Sequence, residues 1–209
     1  MSELSRLALI HHTDKRDHGY TRIYEQYLEP IRTQIRNVVE IGVNAGGSLH
    51  MWREYLPQAR IWGIDINPEC KYYEYKNVNV FTGSQTDEAF LSKCCDEIGS
   101  PIDMILDDGS HVNKFTIKSF HALFPRLKPK GIYIIEDLGC SYSKIDSVEN
   151  CREVWPGMKL NGPENMDNNR VDMDEFFKKI ITGIDAESNN IASIHFWKWC
   201  VIILKGDAK

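Results

Sequence analysis

Short apolar runs alternate with amphipathic stretches through the middle of the chain, and this alternation is the main guide to its fold. The apolar runs predict strands at residues 37–41, 60–65, 78–82, 102–106 and 131–136. Helical spacing of apolar residues predicts helices between them, for example around 86–98 and 113–127. Strands that alternate with helices are typical of a doubly wound, mostly parallel sheet. We therefore predict an α/β protein of Rossmann-like class, with helices on both faces of the sheet.

Three segments depart from this alternation. Residues 1–36 have a mixed helical pattern, and we predict that they form an N-terminal helical cap. Residues 139–172 are polar with scattered Gly, Pro and Asn, and we interpret them as an insert on the substrate side. Ile191–Phe196 and Val201–Leu204 predict a terminal antiparallel hairpin that completes the sheet. The 209 residues are predicted to form a single domain.

Composition limits the kinds of partner and the cellular compartment that we expect for this protein. The net charge is −5 and no basic run is present, so we expect no nucleic-acid partner. No stretch approaches the ~18 apolar residues of a membrane span, and the first residues have no apolar signal core. The six cysteines include no C-x-x-C pair, which is the pattern of reduced thiols. We expect a cytoplasmic protein without a membrane segment.

A glycine-rich turn after the first strand indicates a nucleoside-containing cofactor. The turn reads E-x-G-x-x-x-G, with Glu40, Gly42 and Gly46 at the fixed positions. A dinucleotide site has G-x-G-x-x-G instead, because a pyrophosphate needs a tight turn at a helix N-terminus. The carboxylate of Glu40 would repel a pyrophosphate but tolerates the amino group and sulfonium of S-adenosylmethionine. Asp65, at the end of the next strand, is positioned to accept hydrogen bonds from ribose hydroxyls.

Further acids follow the fourth and fifth predicted strands. Asp108 follows one strand, and Glu136 and Asp137 end the other. Ligands of open parallel sheets bind at the carboxyl ends of the strands, so these acids are expected to face one pocket. Crowded carboxylates repel one another unless a cation joins them, and hard oxygen ligands suit Mg²⁺ best, or Mn²⁺.

His111 is the predicted catalytic residue. It lies three positions beyond Asp108, on the turn after the strand, where it can reach a substrate hydroxyl. An aliphatic hydroxyl stays protonated at neutral pH, so methyl transfer to it needs a base or a metal that acidifies it. Imidazole beside a divalent ion supplies both.

Several sequence blocks together resemble the metal-dependent sugar O-methyltransferases of macrolide biosynthesis and the related cephalosporin hydroxylase-like family. These are class I S-adenosylmethionine-dependent methyltransferases. The blocks are Thr13–Lys15, Glu40–Gly46, Gly47–Leu49, Asp107–His111, Leu123–Gly131 and Ile135–Leu138. Ser84 departs from the pattern, since relatives often have an acid at that position, and the resemblance does not extend to residues 143–190.

The resemblance implies an O-methyltransferase that acts on a hydroxyl of a saccharide or glycosylated metabolite. It implies His111 as the base and Asp108 and Asp137 as ligands of Mg²⁺. Glu136, which lies close by at the same strand end, completes the predicted set of metal ligands. It further implies a set of residues around S-adenosylmethionine, with Gln85 near the adenine. The predicted cofactor-binding residues are Thr13, Lys15, Glu40, Gly42, Gly46, Ser48, Asp65, Gln85 and Asp107.

Other functions are compatible with the same residues. One is methylation of a small non-sugar hydroxyl, such as a catechol, although His111 favours an aliphatic alcohol. A hydroxylase would need redox iron, and the sequence shows no 2-His-1-carboxylate set. A cofactor-binding domain without catalysis is the non-enzymatic alternative, and His111 beside the acids argues against it. Relatives often assemble, so a homo-oligomer is an open alternative to a monomer.

Overall fold

The computed structural model describes residues 1–142, 168 and 170–207 and shows a seven-stranded sheet with helices on both faces. The strands are β1 (Asn37–Ile41), β2 (Arg60–Asp65), β3 (Val78–Thr82), β4 (Ile102–Asp107), β5 (Leu127–Ile135), β6 (Ile191–Trp197) and β7 (Cys200–Lys205). Their order is β3-β2-β1-β4-β5-β7-β6. The first five are parallel, whereas β7 pairs antiparallel with both β5 and β6. The predicted Rossmann-like sheet with a terminal hairpin is confirmed.

Two helices precede the first strand, and the others connect strands. They are α1 (Glu3–Ile10), α2 (Tyr20–Leu28), α3 (Gly47–Tyr55), α4 (Glu88–Ile98), α5 (Asn113–Leu123) and α6 (Arg170–Asp185). Local chemistry sets their ends. The Asp87 side chain accepts a hydrogen bond from the Phe90 N–H and so caps the start of α4. Gly99 follows the last residue of α4 and adopts the left-handed conformation.

The largest differences from the predicted boundaries lie between α5 and β5. The predicted helix at 113–127 ends at Leu123, and Phe124–Arg126 form a 3₁₀ turn because Pro125 cannot continue an α-helix. Strand β5 then begins at Leu127, where it pairs with Ile102, rather than at residue 131. A register shift between the Ile102 and Met104 pairs accommodates the extra residues of β5.

Two apolar layers enclose the sheet, because successive side chains of a strand point to opposite faces. Val38 packs with α1, α2 and α3 on one face, and Val39 packs with α4, α5 and α6 on the other. Residues 1–36 are largely helical. They reach the sheet through contacts such as Tyr24 against Trp52, whose ring centroids are 5.7 Å apart. The amino-terminal segment is therefore part of the main core.

The predicted insert at 139–172 lies mostly outside the described residues. Within it, the structure describes the 3₁₀ turn Leu138–Tyr142, Asn168 and the start of α6, which begins at Arg170. Among the described residues, no helix has the length and apolar character needed to cross a membrane.

Candidate active site

The carboxyl ends of β1, β4 and β5 lie side by side and bring four acids together. Glu40 lies within β1, Asp108 follows β4, and Glu136 and Asp137 follow β5. The three strands are adjacent in the sheet, so the sequence prediction of neighbouring strand ends is confirmed. We refer to Glu40, Asp108, Glu136 and Asp137 as the acid cluster.

A buried lysine from the amino-terminal segment lies within this cluster. Lys15 Nζ is 2.7 Å from Asp108 Oδ2, and 2.9 and 2.8 Å from the two carboxylate oxygens of Glu136. It is also 3.3 Å from Glu40 Oε1. The Lys15 side chain is 0% exposed. A single ammonium therefore contacts acids from the ends of three strands.

Burial and the crowding of like charges shift the titration of these groups. Burial raises the pKa of Glu40 to about 7, and the nearby Lys15 ammonium offsets only part of that effect. Burial and the Asp108 carboxylate also raise the pKa of Glu136 well above its usual range. Burial alone would lower the pKa of Lys15, but Asp108, Glu136 and Glu40 outweigh it and raise that pKa well above its ordinary value. Burial and crowding therefore favour the neutral form of these carboxyl groups, and an added cation would favour their ionised form.

Two tyrosines of α2 donate to the acids that follow β5. The Tyr24 hydroxyl donates to Glu136 Oε1, and the Tyr20 hydroxyl donates to Asp137 Oδ1 at 2.5 Å. Burial, with the adjacent carboxylate, raises the pKa of both phenols, so both are protonated donors. Helix α2 therefore orients Glu136 and Asp137 through hydrogen bonds.

His111 lies beside Asp137, the acid of the cluster with which its ring makes contact. Its Nε2 is 3.8 Å from Asp137 Oδ2, and its backbone adopts a positive φ of 55°. The Asn168 side chain donates to the His111 carbonyl oxygen at 2.8 Å and so fixes this turn. His18 Nδ1 lies 3.7 Å from the other oxygen of Asp137. The structure brings the predicted base next to a predicted metal ligand.

The glycine turn packs against the turn that carries Asp108. Gly42 has φ of 90°, and a Cβ there would overlap the carbonyl oxygen of Asp108. Gly46 has φ of 72° and packs against the Tyr73 ring. Glycine is thus required at both positions by backbone conformation and by close approach within the chain.

Asp65 holds the glycine turn in place. Its Oδ2 accepts from the N–H groups of Val43 at 2.8 Å and Asn44 at 3.3 Å, and its Oδ1 accepts from Asn67 N–H at 2.8 Å. Carboxylate oxygens have further lone pairs, so these bonds leave acceptor capacity for a ligand. Contact of Asp65 with ribose stays a prediction.

Asp107 and Gln85 lie on the opposite side of the strand end from Lys15. The Ser119 hydroxyl donates to Asp107 Oδ2, and Gln85 Oε1 accepts from the Ser110 N–H at 2.8 Å. Burial raises the pKa of Asp107 to about 6 despite the bond from Ser119. Both side chains brace the turn between β4 and α5, and their contact with a cofactor stays a prediction.

The remaining predicted cofactor residues lie near the turn and the cluster. Ser48 is buried in the first turn of α3, close enough to Glu40 to affect its pKa. Thr13 is half-buried and precedes the 3₁₀ turn that carries Lys15.

The acid cluster has the composition of a site for a hard divalent cation. Asp108 and Asp137 have side chains that are 23% and 12% exposed, so solvent can reach them. Carboxylates with access for water are the ligands that Mg²⁺ prefers. The structure already brings a cation, the Lys15 ammonium, into contact with two of the three predicted metal ligands. The donor types fit the predicted ion, whereas the group of described residues whose ligand atoms all lie within 4.8 Å of one another is His111, Asp137 and Cys140.

Sequence analysis missed several residues that shape this site. The sequence assigned no role to Tyr20, Tyr24 or Ser119. Cys140 was also missed, although its Sγ and ligand atoms of His111 and Asp137 lie within 4.8 Å of one another. A separate groove of about 810 Å³ between α5, α6 and β6 contains none of the predicted site residues.

Comparison with known proteins adds a family match. Residues 39–138 match the family model described as a methyltransferase domain. The chain is 42% identical over 147 residues to 8-demethyl-8-alpha-L-rhamnosyl tetracenomycin-C 2'-O-methyltransferase from Streptomyces olivaceus, covering 66% of this chain and 38% of that enzyme. It is 35% identical over 164 residues to mycinamicin VI 2''-O-methyltransferase from Micromonospora griseorubida, covering 74% of this chain and 38% of that enzyme.

A solved structure supports the same resemblance. The MycE methyltransferase of the mycinamycin biosynthetic pathway, in complex with Mg, SAH and mycinamycin VI, superposes with a TM-score of 0.79 at 29% identity. The alignment covers 99% of this chain and 55% of that one. The chain thus spans about two fifths of the length of the two sequence relatives and about half of the structural one. The predicted resemblance to macrolide sugar O-methyltransferases is confirmed.

Proposed function

We propose that this chain, which contains a methyltransferase domain, transfers a methyl group from S-adenosylmethionine to a hydroxyl of a saccharide or glycosylated metabolite with the help of a divalent ion, Mg²⁺ or Mn²⁺. The observation that carries the proposal is the acid cluster with His111 in contact with Asp137, beside a glycine turn of cofactor type. The Streptomyces olivaceus relative supports the acceptor class, since its name describes methylation of a rhamnosyl compound.

The chain's own residues account for proton removal and orientation. His111 takes the proton of the acceptor hydroxyl as the methyl group is transferred. Asp137, 3.8 Å from His111 Nε2, can balance the positive charge that the imidazole gains. Tyr20 holds Asp137 through its hydroxyl and so helps fix the position of that carboxylate relative to the imidazole.

Asp108, Asp137 and Glu136 would hold the divalent ion. When bound, such an ion lowers the pKa of a hydroxyl placed against it. Asp65, Glu40 and the glycine turn would bind the cofactor, together with Thr13, Lys15, Ser48, Gln85 and Asp107. We also propose that 1–36 serves as a cap over this end of the sheet and that 139–172 forms the acceptor side, within one domain of 209 residues.

The test is a transfer assay with methyl-labelled S-adenosylmethionine and a panel of rhamnosides, other deoxyhexosides and catechols. We expect label in a sugar, no turnover in EDTA, and recovery with Mg²⁺. Asp108→Asn should lose the metal response while binding of S-adenosylhomocysteine persists. Label in catechols alone would favour the small-hydroxyl alternative, and full activity in chelator would remove the metal from the mechanism.

A further inference from the structure

Lys15 is the one described residue whose ammonium contacts acids from the ends of three strands. An ammonium has three hydrogens, and the structure gives Lys15 Nζ three hydrogen bonds, to Asp108 Oδ2 and to both oxygens of Glu136. Those bonds use its full donor capacity on predicted metal ligands. Its contacts in the structure therefore position the acids, whatever its relation to a cofactor.

The charge of the cluster explains why a fixed cation is needed. Glu40 and Glu136 are fully and almost fully buried, and Asp108 is about three-quarters buried. Uncompensated buried charges are strongly destabilising. A divalent ion would compensate them, but only when it is bound. Lys15 compensates part of this charge at all times.

We propose that Lys15 is a built-in counter-cation, a positioning residue that shares Asp108 and Glu136 with the divalent ion and allows the acid cluster to form before metal binds. This inference rests on the proposed function, because it takes the cluster as the metal site. The Lys15 ammonium stabilises the metal-free protein. It also lowers the affinity for the ion, because it competes with the ion for the same carboxylates. Removing the ammonium should make folding depend on metal and should make metal binding tighter.

The experiment uses the full chain after treatment with EDTA and titrates it with MgCl₂ alone, without cofactor or acceptor. Lys15→Met should melt at a lower temperature than wild type when metal is absent. Mg²⁺ should raise the melting temperature of the variant more than that of wild type, because ligand binding stabilises the folded state by mass action. Calorimetry should show that the variant binds Mg²⁺ about tenfold more tightly than wild type. The corresponding energy is a fraction of the Coulomb energy between two close charges at an effective dielectric constant of about 20.

Lys128→Met is the matched control. Lys128 also pairs with a largely buried aspartate, Asp103, at the opposite end of β4. Its loss should lower the melting temperature without changing the response to Mg²⁺. An equal metal response in both lysine variants would contradict the inference.

The remaining outcomes separate this inference from the proposed function. If wild type binds Mg²⁺ and Lys15→Met binds it no more tightly, the inference is wrong and the metal site stands. If neither protein binds Mg²⁺, both are wrong. Should Lys15→Met fail to fold without metal, Lys15→Gln keeps a hydrogen-bond donor but drops the charge. Recovery of either variant by Mg²⁺ supports the inference, and failure of both to fold at saturating Mg²⁺ contradicts it.

Discussion

Strand β4 has a buried or part-buried aspartate at each end, and the two are compensated very differently. At the amino end, Asp103 Oδ2 accepts from the backbone N–H groups of Arg36 at 2.9 Å and Asn37 at 2.8 Å, and Oδ1 pairs with Lys128. At that end, a single carboxylate has one cationic partner and two backbone amide donors. At the carboxyl end, the ammonium of Lys15 is shared by three acids, one of which is Asp108.

The contrast separates a structural ion pair from a site that still needs a cation. Asp103 joins the start of β1 to β4 and β5, and its acceptor oxygens are matched by donors. The carboxyl end retains excess negative charge with part of it exposed to solvent, which is typical of functional sites. Mutations at the two ends should therefore have different effects, one on stability and the other on chemistry.

The largest effect is expected at His111. His111→Ala should lower turnover by about 10²–10⁴-fold, the usual range for loss of a general base, with little change in S-adenosylmethionine binding. His121→Ala on the exposed side of α5 is the control and should retain activity. Steady-state kinetics with calorimetry of the cofactor would check this. Near-normal turnover of His111→Ala would assign the base elsewhere, with His18 as the next candidate because it also lies beside Asp137.

A smaller effect is expected at Asp65, the last residue of β2. Asp65→Ala should weaken S-adenosylmethionine binding by about 1.5–3 kcal/mol, the scale of lost hydrogen bonds to a charged group. The loss includes loosening of the glycine turn, whose Val43 and Asn44 N–H groups bind Asp65. Calorimetric titration measures it, and Asp207→Ala at an exposed pair with Lys130 is the control. Unchanged affinity would exclude Asp65 from cofactor binding.

The smallest effect on catalysis is expected at the amino end of β4. Asp103→Ala should lower the free energy of unfolding by about 1–3 kcal/mol, because it leaves two amides and Lys128 without their acceptor. Turnover per folded molecule should not change. Chemical denaturation and kinetics on the same preparation would test both. A loss of turnover without a loss of stability would mean that the two ends of β4 are not separate in function.

The pattern of the sequence was sufficient for most of the fold because strand and helix signals are local. The runs at 37–41, 60–65 and 78–82 coincide with strands β1, β2 and β3. The early start of β5 was not predictable, because Lys128-Pro-Lys resembles a break, and pairing of Leu127 with Ile102 decides the boundary. Such pairing is tertiary and leaves no local pattern.

Most residues of the candidate site could be predicted from the sequence, but the contacts between them could not. Acids at neighbouring strand ends follow from the general rule for parallel sheets, so Asp108 and Glu136 could be placed together. The ion pair between Lys15 and Glu136 joins residues 121 positions apart, and no spacing rule links them. The same holds for Tyr24 and Glu136, separated by 112 positions.

That long separation has a consequence for how the protein is made. Synthesis proceeds from the amino terminus, so Lys15 leaves the ribosome well before the residues of β5 exist. Burial of its ammonium is unfavourable in free energy until Asp108 and Glu136 have emerged and their strands have paired. Burial of Lys15 against these acids must therefore follow translation of β5, more than a hundred residues later. Closure of the site is a late event in the biogenesis of the chain, and nascent chains arrested before residue 136 should lack it.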